Sequence, residues 1–404
     1  ETDFANGSAN VTPYKLININ ISPPVFIPEL LDYAWWLETV FTHEYTHILH
    51  LDQAEDLPRH LRSIFGRMEW LFPNSLQPLW LIEGLASYYE TDSARGIGRG
   101  QDSYFDMLMR MEVELGFKPL RQINQDINTW PGGRSAYLYG VHFYQYLREK
   151  YTAQSIKNFI RTYSSNILPF QINRNARDNF GMNMPELWKN FQDYESKKYS
   201  AQIQNISAHG VKQGERLSRN NFYELQLKTD SLGQLYLLAQ DGKQQTFISK
   251  WPNVKNKITL NPNARFDVHK DAGIIIAQPE LYQNNQIFYD LYHIDRDVKK
   301  IRRLTIGQRL LYAAWGSQGK TIYAVQNKLN TARLVQLSPQ GEMLSVLWQG
   351  EPEEVISGMD VSPQGDRLVA VVFHPKEGWN LKLFHIAEKR WVKLTQDSAI
   401  PHNP

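Results

Sequence analysis

The chain has 404 residues, of which 42% are hydrophobic and 21% charged, a balance expected of a globular protein with two domains and not of a disordered one. A formal net charge of +2 gives no reason to expect nucleic acid, and no apolar run reaches the length of a membrane span. The absence of cysteine excludes disulfides and thiolate chemistry and leaves the redox compartment open. The chain starts at Glu1 without Met or signal peptide, so it reads as a processed or excised piece, with residues 1–13 as a loose polar lead-in. Tyr14 to Ile21 then alternates as a strand does.

Residues 29–52 lack Pro and Gly, and Leu30, Leu31, Ala34, Leu37, Val40, Phe41, Ile48 and Leu51 recur at three- and four-residue steps, which predicts one half-buried helix after Pro28. Inside it, His43-Glu44-Tyr45-Thr46-His47 is an H-E-x-x-H motif. Histidines four apart leave one helix face together and can share a metal ion, with the glutamate beside the open coordination position where a base is needed. His50 and Asp52, further along, read as structural. The next stretch interleaves Arg59, His60, Arg62 and Arg67 with Leu61, Ile64, Phe65, Trp70, Leu71 and Phe72. It reads as an extra amphipathic hairpin that packs against the following helix, with shaping of a pocket or binding of a partner or lipid surface as the alternatives. A second helix is predicted at 80–90, WLIEGLASYYE. Zinc in a catalytic site takes three protein ligands, so two histidines need one more, and Glu83 is the natural third.

H-E-x-x-H followed by W-L-x-E-G-x-A-x-Y-x-E resembles the gluzincins, the aminopeptidase N and leukotriene hydrolase family with its peptidase-MA-like relatives. The resemblance covers about residues 30–150. It implies a mainly helical, zincin-like metallopeptidase domain in which His43, His47 and Glu83 bind Zn2+ and Glu44 acts as general base. Such sites are best suited to zinc, with cobalt or manganese able to substitute in vitro. By the same resemblance Tyr137, in Tyr137-Leu138-Tyr139-Gly140, holds the place of the oxyanion-stabilising tyrosine, while Tyr139 replaces the usual lysine. His142 is a second candidate donor, and Glu90 a candidate acceptor for a ligand histidine. In a chain with 21 tyrosines, Tyr137 fits an ordinary packed aromatic equally well, and Glu90 a solvated carboxylate. Two features depart from the family. His47 and Glu83 are separated by 35 residues, more than in the aminopeptidases. No segment matches the G-x-M-E-N clamp for a free amino terminus, so an endopeptidase is expected over a true aminopeptidase. In zincins a strand like 14–21 edges the cleft and can pair with an extended substrate.

Helical patterns continue at 135–151 and 184–199, a polar stretch runs from Ser200 to about Asn221, and short β-like runs follow. Gly233, Gly273, Gly319 and Gly365 each precede a hydrophobic strand, at intervals of 40, 46 and 46 residues. That period indicates propeller blades of about four strands. The form S-P-Q-G-D-R-L-V-A-V resembles TolB-type propeller repeats. The expected organisation is multidomain α + β: residues 1–200 a metallopeptidase domain, 201–217 a linker, and 218–404 a partial propeller of about four blades, with a sandwich or open β-array as the alternative. The chain is expected to be truncated, with a fifth blade starting near Ile400. The expected function is zinc-dependent hydrolysis of peptide bonds in a peptide or protein substrate, with the propeller as gate or as docking surface for a protein partner. A propeller scaffold with an idle metal domain is the rival. The TolB-type resemblance and the lack of cysteine suggest a bacterial cell-envelope protein, periplasmic or secreted.

Overall fold

The computed structural model describes residues 2–124, 129–217, 223–240, 245–252, 257–295, 300–328, 330–396 and 399–401. The chain divides into two units, Asn6–Ile19 with Pro28–Glu215, and Glu1–Ala5 with Asn20–Ile27 and Arg216–Pro404. Among the described residues, eight helices precede four four-stranded sheets in a β-propeller arrangement. The end of the chain read as a fifth blade lies largely outside the described residues, as do residues 218–221 of the polar stretch.

The helical unit opens with an antiparallel pair, β1 (Gly7–Asn10) and β2 (Leu16–Ile19), so part of the expected loose lead-in is a strand. The predicted helix over 29–52 is broken. Pro28–Leu30 forms one 3-10 turn, and α1 spans Trp36–Leu51. Tertiary contacts claim the residues between: Leu31 and Tyr33 are buried, and the Asp32 carbonyl accepts from Gly98 N at 2.8 Å. The insertion forms α2 (Asp56–Phe65) and two 3-10 turns. Leu71 and Phe72 are buried, Phe72 against Val11 and against Ile48 of α1 rather than the following helix, while Leu57, Ile64, Phe65 and Trp70 are exposed. Asp52 is structural, binding Lys15, Arg62 and Arg67.

α3 (Leu79–Glu90), α4 (Ser103–Leu115), α5 (Ser135–Lys150), α6 (Ala153–Ser164), α7 (Ile172–Phe180) and α8 (Met184–Ala208) enclose one core that includes Trp80, Leu85, Phe105, Phe143, Trp188 and Phe191. α8 extends beyond the predicted 184–199 and takes in the first residues of the stretch read as a linker. α3 and α5 cross at facing glycines. A Cβ on Gly84 would lie 2.4 Å from the Gly140 Cα, and one on Gly140 would lie 2.2 Å from the Trp80 carbonyl oxygen.

Asp102 caps α4 by accepting from Tyr104 N at 2.8 Å, yet its other oxygen is buried without a partner among the described residues. Burial, with Asp32 and Glu29 nearby, pushes its carboxyl up to about 7. A carboxyl raised on folding contributes stability at low pH that is lost as pH rises through its folded value. Asn caps as well as Asp and carries no charge. Asp102→Asn is therefore expected to stabilise the protein by a few kcal/mol at pH 8 and to have little effect at pH 4, read by urea unfolding at both. An equal effect at both would refute the assignment.

In the second unit the sheets are β3 (Tyr223–Thr229), β4 (Leu235–Gln240), β5 (Phe247–Lys250) and β6 (Ile258–Thr259); then β7 (Arg265–His269), β8 (Gly273–Tyr282), β9 (Gln286–Ile294) and β10 (Ile301–Arg303). The last two are β11 (Leu310–Trp315), β12 (Ile322–Lys328), β13 (Thr331–Leu337) and β14 (Met343–Gln349), and β15 (Val355–Val361), β16 (Arg367–His374), β17 (Gly378–His385) and β18 (Arg390–Lys393). Each is an antiparallel meander in chain order. The four repeat glycines all have positive φ, 78°, 86°, 65° and 75°, at or just before the start of the second strand of each sheet. That conformation is open to glycine at no steric cost, which explains their regular recurrence. Faces of successive sheets meet through apolar residues such as Leu238, Ile248, Phe266 and Ile276. β3, β7, β11 and β15 line a cavity of about 890 Å³. Across it, Lys228 Nζ of β3 meets Asp360 of β15 at 2.8 Å. The Asp3 carboxylate is buried in this unit, accepting from Arg309, Asn327 and Tyr289 N.

Candidate metal centre

α1 turns Val40, His43, Glu44, His47 and Ile48 to its buried side, as a 3.6-residue period dictates. α3 brings Glu83 against them. His43 Nε2 lies 3.1 Å from His47 Nε2 and 3.3 Å from Glu83 Oε2, and His47 Nε2 lies 3.4 Å from the same oxygen. The three form a group able to hold a metal ion. A tetrahedral ion with bonds of about 2.0–2.1 Å spaces its ligands roughly 3.3 Å apart, so the donor set and its spacing fit zinc. Both histidines are buried, at 6% and 7% exposure, and Glu83 is half-buried, so three potential ligand atoms converge on one point.

The tautomer of His43 follows from its other nitrogen. Nδ1 lies 2.7 Å from Glu90 Oε2 and donates to it, which leaves the Nε2 lone pair facing the group. Glu90 is fully buried. Burial alone would raise its pKa, but Arg99 and His43 hold it down to about 2. Arg99 grips both its oxygens, Nε at 2.6 Å and Nη2 at 2.9 Å. The same guanidinium lies 4.7 Å from the centre of the Tyr137 ring. Burial raises Glu83 and the facing imidazoles of His43 and His47 lower it, with a net fall well below the usual carboxylate range. His47 Nδ1 has no protein partner among the described residues.

Glu44 is buried beside the group but outside it, and burial pushes its carboxyl up. β1 passes directly over it: a Cβ on Gly7 would come within 2.5 Å of Glu44 Oε1, so any larger residue there would make the Glu44 side chain shift. Tyr137 stacks on His43 with ring centres 6.4 Å apart. Burial, then the Glu83 charge, pushes its hydroxyl well above the usual range, so it stays a donor. Tyr139 and His142 point elsewhere. Tyr139 donates to Glu112, and His142 lies 2.8 Å from the Leu138 carbonyl and 3.1 Å from the Tyr199 hydroxyl. His50 is buried away from the group, and burial holds its pKa down to about 3. Arg99 was not anticipated from the sequence. It sits in the loop after α3, where no periodicity marks it.

No protein-family model and no curated protein matches the chain. Among solved structures, it is similar to a putative TolB from Agrobacterium tumefaciens at 14% identity and a TM-score of 0.35, covering 43% of this chain and 67% of that one. It is also similar to TolB from Acinetobacter baumannii, at 13% identity and a TM-score of 0.33 over 42% of this chain and 43% of that one. A puromycin hydrolase is similar at 17% identity and a TM-score of 0.33, over 44% of this chain and 30% of that one. The chain thus spans less than half the length of the second and third of these.

Proposed function

We propose that the protein is a zinc-dependent metallopeptidase that cleaves internal bonds of peptide or protein substrates. The observation that carries this reading is the convergence of His43, His47 and Glu83 at 3.1–3.4 Å with Glu44 next to them on α1. When bound, zinc would supply a Lewis acid that acidifies a water molecule and polarises the scissile carbonyl. Glu44 takes the proton from the attacking water and returns it to the leaving amine; a carboxyl raised by burial suits both transfers. The Tyr137 hydroxyl, kept protonated, donates to the oxyanion of the tetrahedral intermediate. Glu90 orients His43. The endopeptidase reading is supported by the commitments of the local carboxylates. Glu83 faces the histidines, Glu90 is gripped by Arg99, and Glu44 is needed for proton transfer. That leaves no carboxylate among these to hold a free amino terminus.

The propeller is proposed to dock or screen substrates, and the protein to work in a bacterial cell envelope, both on the strength of the TolB-type repeat pattern. The test is mass spectrometry of a diverse peptide mixture after incubation with zinc-loaded protein. Internal cleavage that tolerates amino-terminal acetylation is expected. Trimming from free amino termini alone would identify an aminopeptidase, and zinc binding without cleavage would favour a propeller scaffold.

A further inference from the structure

From the geometry around the site we propose that Arg99 is a positioning residue for the centre, fixing the His43 ligand through Glu90 and the Tyr137 ring through its own face. The proposal rests on the metallopeptidase reading. Arg99 is largely buried, its side chain 11% exposed, and its contacts are specific. Nε and Nη2 take the two oxygens of Glu90 in the forked geometry that only a guanidinium offers. The oxygen that receives Nη2 also receives His43 Nδ1, so Nη2 and Nδ1 sit 3.2 Å apart as neighbours on one acceptor. Glu90 is thereby held from behind while it holds the histidine. The guanidinium carbon also lies over the Tyr137 ring, 4.7 Å from its centre, a cation–π contact that ties the candidate oxyanion donor to the same anchor.

Charge balance supports the assignment. Glu44, Glu83 and Glu90 put three carboxylates around one buried point. A divalent ion offsets two of them, and Arg99 is the side chain placed to offset the third. Without its side chain, Glu90 would keep His43 Nδ1 and the backbone N–H of residue 99 as donors but no cationic partner, and the His43 ring would lose its fixed direction. Removing the group behind a histidine ligand costs about 10–100-fold in metal affinity.

The test compares wild type with Arg99→Met, Arg99→Lys, Glu90→Gln and the Arg99→Met/Glu90→Gln double variant. Zinc affinity is measured by competition with a chelating dye, and the visible spectrum of the cobalt-loaded protein reports ligand geometry without turnover. Arg99→Met is expected to weaken zinc binding about 10–100-fold and to alter the cobalt spectrum. Because the effect passes through Glu90, the double variant should bind zinc no more weakly than Glu90→Gln alone. Arg99→Lys keeps charge but loses the fork, so it should recover only part of the affinity; it also serves if the Met variant fails to fold. Wild-type affinity and an unchanged cobalt spectrum in Arg99→Lys or Arg99→Met, with only a lower melting temperature, would overturn the proposal. So would additive losses in the double variant. Failure of wild type itself to bind zinc would overturn the metallopeptidase reading and this one with it.

Discussion

Glu44→Gln is expected to keep its metal and lose about 10³-fold in kcat/KM, within the range that a positioned general base contributes. Glutamine preserves the shape of a side chain buried beneath Gly7 of β1, so the fold has no reason to change. The group able to hold a metal is His43, His47 and Glu83, and the substitution leaves all three in place. What disappears is the carboxylate proposed to take and return a proton. The measurement pairs zinc stoichiometry with turnover of a peptide that wild type cleaves. Zinc-loaded Glu44→Gln that cleaves at the wild-type rate would remove Glu44 from the mechanism.

Gly140→Ala is expected to destabilise the protein by about 3 kcal/mol, the upper range for forcing extra volume into a packed site. Alanine in place of glycine normally favours a helix by up to about 1 kcal/mol. Here the steric term decides the sign, because the new methyl would meet the Trp80 carbonyl oxygen at 2.2 Å and Gly84 Cα at 2.5 Å. Both are backbone atoms of α3 and cannot turn aside. Relief requires α3 to move off α5, and α3 carries Glu83 and Glu90, so zinc affinity should fall with stability. Gly214→Ala is the control, since nothing lies within 4 Å of a Cβ there. Urea midpoints and zinc affinity of the two variants check the point. A Gly140→Ala protein as stable as wild type would show that the helix crossing is not close.

How much could be read beforehand depended on how local the determinant is. His43, Glu44 and His47 lie within five residues of one helix, and helical spacing alone puts both imidazoles on one face. Glu83 needed a second pattern on another helix, and the structure brings it to the histidines. The repeat glycines announced the blades because each turn demands a positive φ that other residues rarely adopt. Arg99 gave no such sign: its place is set by Glu90, nine residues before it on α3, and by His43 and Tyr137, distant in sequence on α1 and α5. The break in the predicted 29–52 helix has the same origin, since Asp32 is claimed by Gly98 and Gln101 of a later loop. Residues 2–10 looked loose because their order is borrowed. Asp3 is held by Arg309 and Asn327, and Gly7–Asn10 by β2.

The central claim is that His43, His47 and Glu83 hold one catalytic zinc ion. X-ray absorption at the zinc edge of the loaded protein tests it most directly, with His47→Ala beside wild type. One ion per chain is expected in a four-coordinate shell of two imidazole nitrogens and oxygen donors, at about 2.0–2.1 Å, lost in His47→Ala. A shell without imidazole, or one that His47→Ala leaves unchanged, would contradict it.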